Sequence, residues 1–273
     1  MDFPLARQYF YQEINQPEAQ IDLAKAALYI AQEEYPKLDT EEYLNALDTI
    51  ALEIREQLPS EHYPLRIIQG INRYLYDDLG FTGNTTNYYD PRNSYLNDVL
   101  DLRTGIPITL SLVYLEIAKR LDFPMQGIGM PGHFVIRPDV AQMEVFVDPF
   151  NRGEVMFPED CQDRLSQIYG QPVKLQDSFL DTVSHRQFLS RMLTNLKFAY
   201  LRKEQLEKAL AATERILLLF PDIATELRDR GLLHYQLGNW SAASIDLKTY
   251  LDKVPHAADA PVIRRLLSQL GDT

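Results

Sequence analysis

Residues 131–137 read Pro131-Gly132-His133-Phe134-Val135-Ile136-Arg137, and residues 144–150 read Glu144-Val145-Phe146-Val147-Asp148-Pro149-Phe150. Both runs are rich in β-branched and aromatic side chains and are bounded by Gly or Pro, the mark of strands. If Arg137 pairs with Glu144 across the connection, antiparallel partners sum to 281, which sets His133 opposite Asp148. Directly opposed side chains sit about 5 Å apart. The spacing therefore predicts a His–Asp pair, in which the carboxylate orients and charge-stabilises the imidazole as the third member of a nucleophilic triad does.

Upstream, Thr104 to Leu121 carries no charge before Glu116, so it reads as a helix buried on most sides. Thr104 is expected to cap it and Pro107 to occupy its first turn, where a missing amide hydrogen costs little. Before it, residues 1–79 hold helical periodicity over Ile21–Tyr35, Glu41–Leu58 and Tyr63–Leu79, punctuated by Pro36, Pro59 and Pro64. Gly80 to Ser94 is a long polar loop, either functional or pinned over the core by Tyr88 and Tyr89.

The C-terminal part repeats. Pro221 and Pro255 lie 34 residues apart, as do Leu193 and Leu227, Ala209 and Ala243, and Tyr200 and His234. That period is the tetratricopeptide length. Each unit reads as two helices, Phe188–Leu201 with Lys203–Leu219 and Ile223–Leu237 with Trp240–Lys253, and Pro261–Leu270 reads as a closing amphipathic helix. Small side chains at Ala209 and Ala243 let paired helices approach closely, and the prolines end each pair.

Composition bounds the rest. The 273 residues contain 27 Lys plus Arg against 39 Asp plus Glu, a formal charge of −12, and such a balance repels phosphate backbones. Nucleic acid is not expected as a partner. Residues 1–187 hold 15 basic and 29 acidic side chains and residues 188–273 hold 12 and 10, which suggests two modules, 1–180 and 181–273. The longest apolar run, Ala26 to Ala31, has six residues, whereas a membrane helix needs about 20. With no basic leader at Met1-Asp2-Phe3-Pro4 and a single cysteine, Cys161, a cytoplasmic location is expected.

A buried central helix followed by a strand bearing His and a strand bearing Asp resembles the transglutaminase-like, papain-related fold. More closely, Asp90-Pro91-Arg92-Asn93-Ser94, Arg103-Thr104-Gly105-Ile106-Pro107-Ile108-Thr109-Leu110-Ser111, Pro131-Gly132-His133-Phe134 and Val147-Asp148-Pro149-Phe150 are similar to the SirB-type family, a transglutaminase-like domain followed by tetratricopeptide repeats. The resemblance runs from residue 30 to residue 260. It implies an α+β, mostly helical domain with a small antiparallel sheet, then an all-α repeat module. Where the family often has Gly-Gly after Asp-Pro-Phe, this chain has Asn151-Arg152-Gly153.

The resemblance also implies a cysteine at the start of the central helix in active enzymes, where the helix dipole and a nearby His make it a thiolate. Pro107 stands at that position here, and no residue from 98 to 118 is cysteine. Ser111, four residues on, shares the Pro107 face of the helix and is the substitute hydroxyl, whereas Thr109 is not. One histidine and one aspartate are too few for a metal, so no metal or cofactor is expected, and His62, His185, His234 and His256 read as structural.

Two functions compete. The favoured one is a non-catalytic adaptor or regulatory factor, a pseudoenzyme that binds another protein or peptide through a cleft at His133, Asp148, Arg103, Tyr89, Arg92 and Asn93 and through Tyr200, Arg230 and His234 on the repeats. The alternative is a peptide or amide hydrolase or acyl transferase with Ser111 as nucleophile, His133 as base and Asp148 as orienter.

Overall fold

Two aspartates start the early helices: Asp22 accepts from the Lys25 backbone amide (3.0 Å) and Asp39 from that of Glu41 (3.0 Å), each satisfying a donor that the first turn leaves unpaired. The computed structural model describes residues 4–59, 63–140 and 143–271, so His62 lies outside the described residues. In chain order the helices are α1 (Leu5–Ile14), α2 (Leu23–Gln32), α3 (Thr40–Gln57) and α4 (Pro64–Asn72), the last running into a π-turn over Arg73–Asp78. Strand β1 (Thr82–Gly83), α5 (Leu96–Leu102), β2 (Thr104–Gly105) and α6 (Pro107–Arg120) follow. Then come β3 (Met125–Ile128), β4 (Val135–Pro138), β5 (Phe146–Asp148), β6 (Glu154–Met156) and α7 (Pro158–Tyr169).

Every residue of α6 from Pro107 to Ala118 is buried, as its uncharged sequence predicts, and Tyr114 at its centre donates to the Ile68 carbonyl (3.3 Å) and to Asn72 Oδ1 (3.0 Å). The cap differs from expectation. Thr104 is drawn into β2, which pairs in parallel with β1 (Thr82↔Thr104), and Thr109 Oγ1 instead accepts from the Ile106 amide (3.1 Å) while donating to the Asn93 carbonyl (2.7 Å). Helix α6 is thereby tied to the loop before it.

The four antiparallel strands lie in the order β3-β4-β5-β6. Ile136 partners Val147, so the β4–β5 register sums to 283 and not 281. The Arg137–Glu144 pair on which the expected register rested does not form: Arg137 Nη2 reaches Gln126 Oε1 on β3 (3.4 Å) and Glu144 is exposed. Val135, Ile136, Phe146 and Val147 are all buried in the observed pairing. A slip of two residues leaves every side chain on its original face, because the strand period is two.

The chain divides into two units between Leu189 and Ser190, inside α8 (His185–Arg202). The second unit continues with α9 (Leu206–Leu219), α10 (Ala224–Gln236), α11 (Trp240–Lys253) and α12 (Ala260–Gly271). Ala209 and Ala243 are both completely buried, the close approach that their small side chains permit, and Leu247, Tyr250 and Ile263 centre a core that α12 closes with Leu266 and Leu267. The architecture is α+β, a mostly helical unit around a small sheet followed by an all-helical one.

Candidate functional site

His133 precedes β4, in a turn closed by its own amide on the Met130 carbonyl (3.1 Å). Continuing the observed register sets Asp148 against Val135, so the imidazole reaches the carboxylate diagonally, a separation that a ring of this size can bridge. Nε2 of His133 lies 2.7 Å from Asp148 Oδ2. The pair is formed, by a different geometry from the direct opposition expected. His133 is 6% exposed and Asp148 is fully buried.

Asp148 is saturated. Its Oδ1 accepts from the backbone amides of Phe150 (3.1 Å) and Asn151 (3.3 Å), capping the short helical turn Pro149–Asn151, and Oδ2 also accepts from Asn151 Nδ2 (2.8 Å). Burial opposes ionisation of this carboxyl. The hydrogen bond and charge of His133, the Asn151 amide and the Arg164 guanidinium at 3.7 Å overcome that and hold it below the usual carboxylate range.

Aromatic rings flank the imidazole. Phe150 stands edge-on to it with centroids 6.2 Å apart, Tyr88 meets Phe150 at 6.4 Å and Tyr89 meets Tyr88 at 5.3 Å. Tyr89, expected at the cleft, is 43% exposed at the end of this chain of rings. Asn93 is buried and works inward: Nδ2 donates to the carbonyls of Asn87 (2.8 Å) and Tyr88 (3.0 Å), and Oδ1 accepts from Asn84 (3.0 Å). Asparagine side chains therefore pin the Gly80–Ser94 loop. Arg92 is tied to Asp90 (2.8 Å). Arg103 takes a left-handed conformation (φ 54°) and donates to the Leu79 carbonyl (2.7 Å); its groove is shared with Tyr43 and Asp101, and the described contacts of Arg103 do not include the imidazole.

The candidate nucleophiles are placed as follows. Ser111 Oγ is sealed from solvent with no hydrogen-bond partner among the described residues, so His133 does not act on it here. Pro107 opens α6, as expected. Cys161 lies on α7 among Ile128, Met130, Val135 and Phe146. Burial, with the nearby charges of Asp160 and Asp148, pushes its thiol up to about 12, the reverse of what an attacking thiolate needs.

In the second unit, Tyr200 is only 2% exposed, which corrects its place among the expected contact residues: its ring faces inward. Arg230 is engaged by both oxygens of Asp246 (2.7 Å each), and His234 approaches Asn239 (3.4 Å). Sequence reasoning missed Lys197, whose buried ammonium meets Glu226 and Asp229 (2.8 Å each). It also missed Phe150, Asn151 and Arg164; the first two adjoin Asp148 in sequence, but nothing local marks Arg164.

The profile of the transglutaminase-like superfamily covers residues 41–194, more than half of the chain. The chain belongs to the transglutaminase-like superfamily. A tetratricopeptide-repeat profile covers residues 196–268, so the transglutaminase-like unit is followed by repeats. A UPF0162 protein of Xylella fastidiosa is 38% identical over 92% of this chain and 91% of its own length, and one of Vibrio cholerae is 31% identical over 73% and 74%. The F-box only protein 21 of Homo sapiens is 30% identical over 67% of this chain, a segment that makes up 30% of that protein. Among the described residues no group of three His, Cys, Asp or Glu could hold a metal, and no helix is long and apolar enough to cross a membrane.

Proposed function

We propose that this protein is a non-catalytic, SirB-type adaptor or assembly factor that grips a protein or peptide partner in the cytoplasm, with a transglutaminase-like module and a repeat module dividing near residues 180–190. The observation that carries it is the supply of hydroxyls and thiols. Ser111 Oγ has no base, Thr109 is spent on the Asn93 carbonyl, and the Cys161 thiol is buried and protonated. Pro107 opens the helix where active relatives of the fold would carry cysteine. An imidazole and carboxylate without a nucleophile serve to hold the β4–β5 hairpin and present a polar contact among rings. Similarity to tetratricopeptide repeats supports a protein partner, recurrence of the module as 30% of a longer human protein supports a binding role, and the charge of −12 argues against nucleic acid.

The alternative, amide hydrolysis by Ser111 with His133 and Asp148, is supported by the 2.7 Å pair alone. Serine- and cysteine-directed activity probes applied to the purified full chain separate the two. The adaptor reading expects no labelling; labelling abolished by Ser111→Ala overturns it. Affinity purification from the native cell with mass spectrometry, compared between the unaltered chain and His133→Ala or Tyr89→Ala, then tests the cleft: a specific partner recovered equally well by all three counts against it.

A further inference from the structure

The outer edge of the sheet at β3 is only partly covered. Strand β3 has β4 on one side, and two bonds show which way its backbone groups point. The Asp139 amide donates to the Pro124 carbonyl (2.8 Å). Antiparallel pairs alternate, so Pro124, Gln126 and Ile128 turn their groups toward β4, while Met125 and Gly127 turn theirs outward. The outward Gly127 carbonyl accepts from the Val183 amide (3.0 Å), and Thr182 bridges Ile128 beside it. There the cover stops. The Ser184 amide donates to Gln187 Oε1 (2.8 Å) and the Gln187 amide to Ser184 Oγ (3.2 Å), a reciprocal cap that turns the chain into α8. The residue in register with Met125 would be His185, which is already helical. Among the described residues the Met125 N–H and C=O therefore have no backbone partner.

Beside this open edge lies a cavity of about 760 Å³, with Pro124, Met125 and Gln126 in its wall. Its lining carries four carboxylates, Glu18, Asp22, Glu116 and Asp122, and Lys119 is the only Lys or Arg of its described lining. Arg186, Arg120 and Arg55, which pair with Glu18, Glu116 and Asp122, stand outside that lining. The Asp122 side chain is 90% exposed and can meet a further cation. We propose that the β3 edge is a docking site for an extended segment of a partner protein bearing Lys or Arg, which pairs its backbone with Met125 and lays its cationic side chains along the acidic cavity. An unpaired edge accepts an added strand of almost any sequence; the charge of the cavity selects a basic one. Such docking rests on the adaptor reading and deepens it: the partner's segment is basic and extended, and it is held by the sheet edge and not by the His133 pair.

The test is fluorescence anisotropy of the full chain, at low ionic strength, with a labelled peptide of about eight residues alternating lysine and valine. The comparison peptide has glutamate in place of lysine. The lysine peptide binds and the glutamate peptide does not. Met125→Pro deletes the outward N–H but no β3–β4 bond, and weakens binding about three- to tenfold. Asp122→Asn weakens it and Lys119→Glu strengthens it, each about two- to fivefold. No binding of the lysine peptide, equal or tighter binding of the glutamate peptide, unchanged affinity in Met125→Pro, or unchanged affinity in both charge variants overturns the proposal. Should Met125→Pro not fold, hydrogen exchange at the Met125 amide of the unaltered chain decides instead: bound lysine peptide slows it, and an unslowed amide refutes the docking. A negative result here leaves the His133 cleft of the adaptor reading standing, whereas labelling of Ser111 by an activity probe sinks that reading without altering the peptide's affinity.

Discussion

Replacing Gly153 by Ala tests how the turn beneath Asp148 is held. Gly153 has φ +70°, and a Cβ there would lie 2.0 Å from Asn72 Oδ1 and 2.6 Å from Asn72 Nδ2. Asn72 cannot simply swing aside, because Nδ2 donates to the Gly153 carbonyl (2.7 Å) and Oδ1 accepts from the buried Tyr114 hydroxyl (3.0 Å). The left-handed backbone costs an alanine about 1 kcal/mol, and stranding the buried Gly153 carbonyl adds about 1–3 kcal/mol, while the Tyr114 hydroxyl keeps its bond to the Ile68 carbonyl (3.3 Å). A loss of about 2–4 kcal/mol is expected. Gly80→Ala is the control: its φ is +76° but nothing lies within 4 Å of the added methyl, so it should lose about 1 kcal/mol. Urea unfolding followed by far-UV circular dichroism measures both. A Gly153→Ala cost no greater than the Gly80→Ala cost would show that Asn72 yields freely, and the argument from the clash fails.

Three further outcomes are expected. The Asp148 carboxyl titrates below its ordinary value in the folded chain, so its contribution is full above an unfolded-state pKa of about 3.9 and disappears as pH falls through the folded value. The stability gap between the unaltered chain and Asp148→Asn, read from urea midpoints, should therefore shrink from pH 7 toward pH 3; a constant gap contradicts it. Cys161, buried with its thiol pushed up to about 12, should resist a disulfide-exchange reagent at pH 8 in the native chain and react at once in urea, and rapid native labelling would refute its placement. Lys197→Met leaves Glu226 and Asp229 facing each other without their shared cation and should destabilise the second unit by about 3–5 kcal/mol. The fluorescence of Trp240, the sole tryptophan, reads that transition, and an unchanged midpoint would mean that the pair is worth nothing.

What could be read in advance follows from the range of each interaction. Helices α8 to α12 repeat a local period, and the small residues that permit their packing recur with it, so Ala209 and Ala243 announced their burial. The uncharged run ahead of Glu116 announced α6 in the same way. His133 and Asp148 were legible because strand parity is a local property: a register slip of two moved the partner of Asp148 to Val135 without moving either functional side chain to the other face.

The amino-acid order alone thus determined the helical repeats, the buried helix, the absence of cysteine at its start and the shared face of imidazole and carboxylate, all of which depend on near neighbours. Tertiary packing decided the strand register, the inward turn of Tyr200, the loop held by Asn84 and Asn93, the cap from Thr109 and the guanidinium of Arg164 beside Asp148. Those contacts join segments far apart in the chain, and which partner each polar group meets is settled only when burial strips away the water that would otherwise satisfy it.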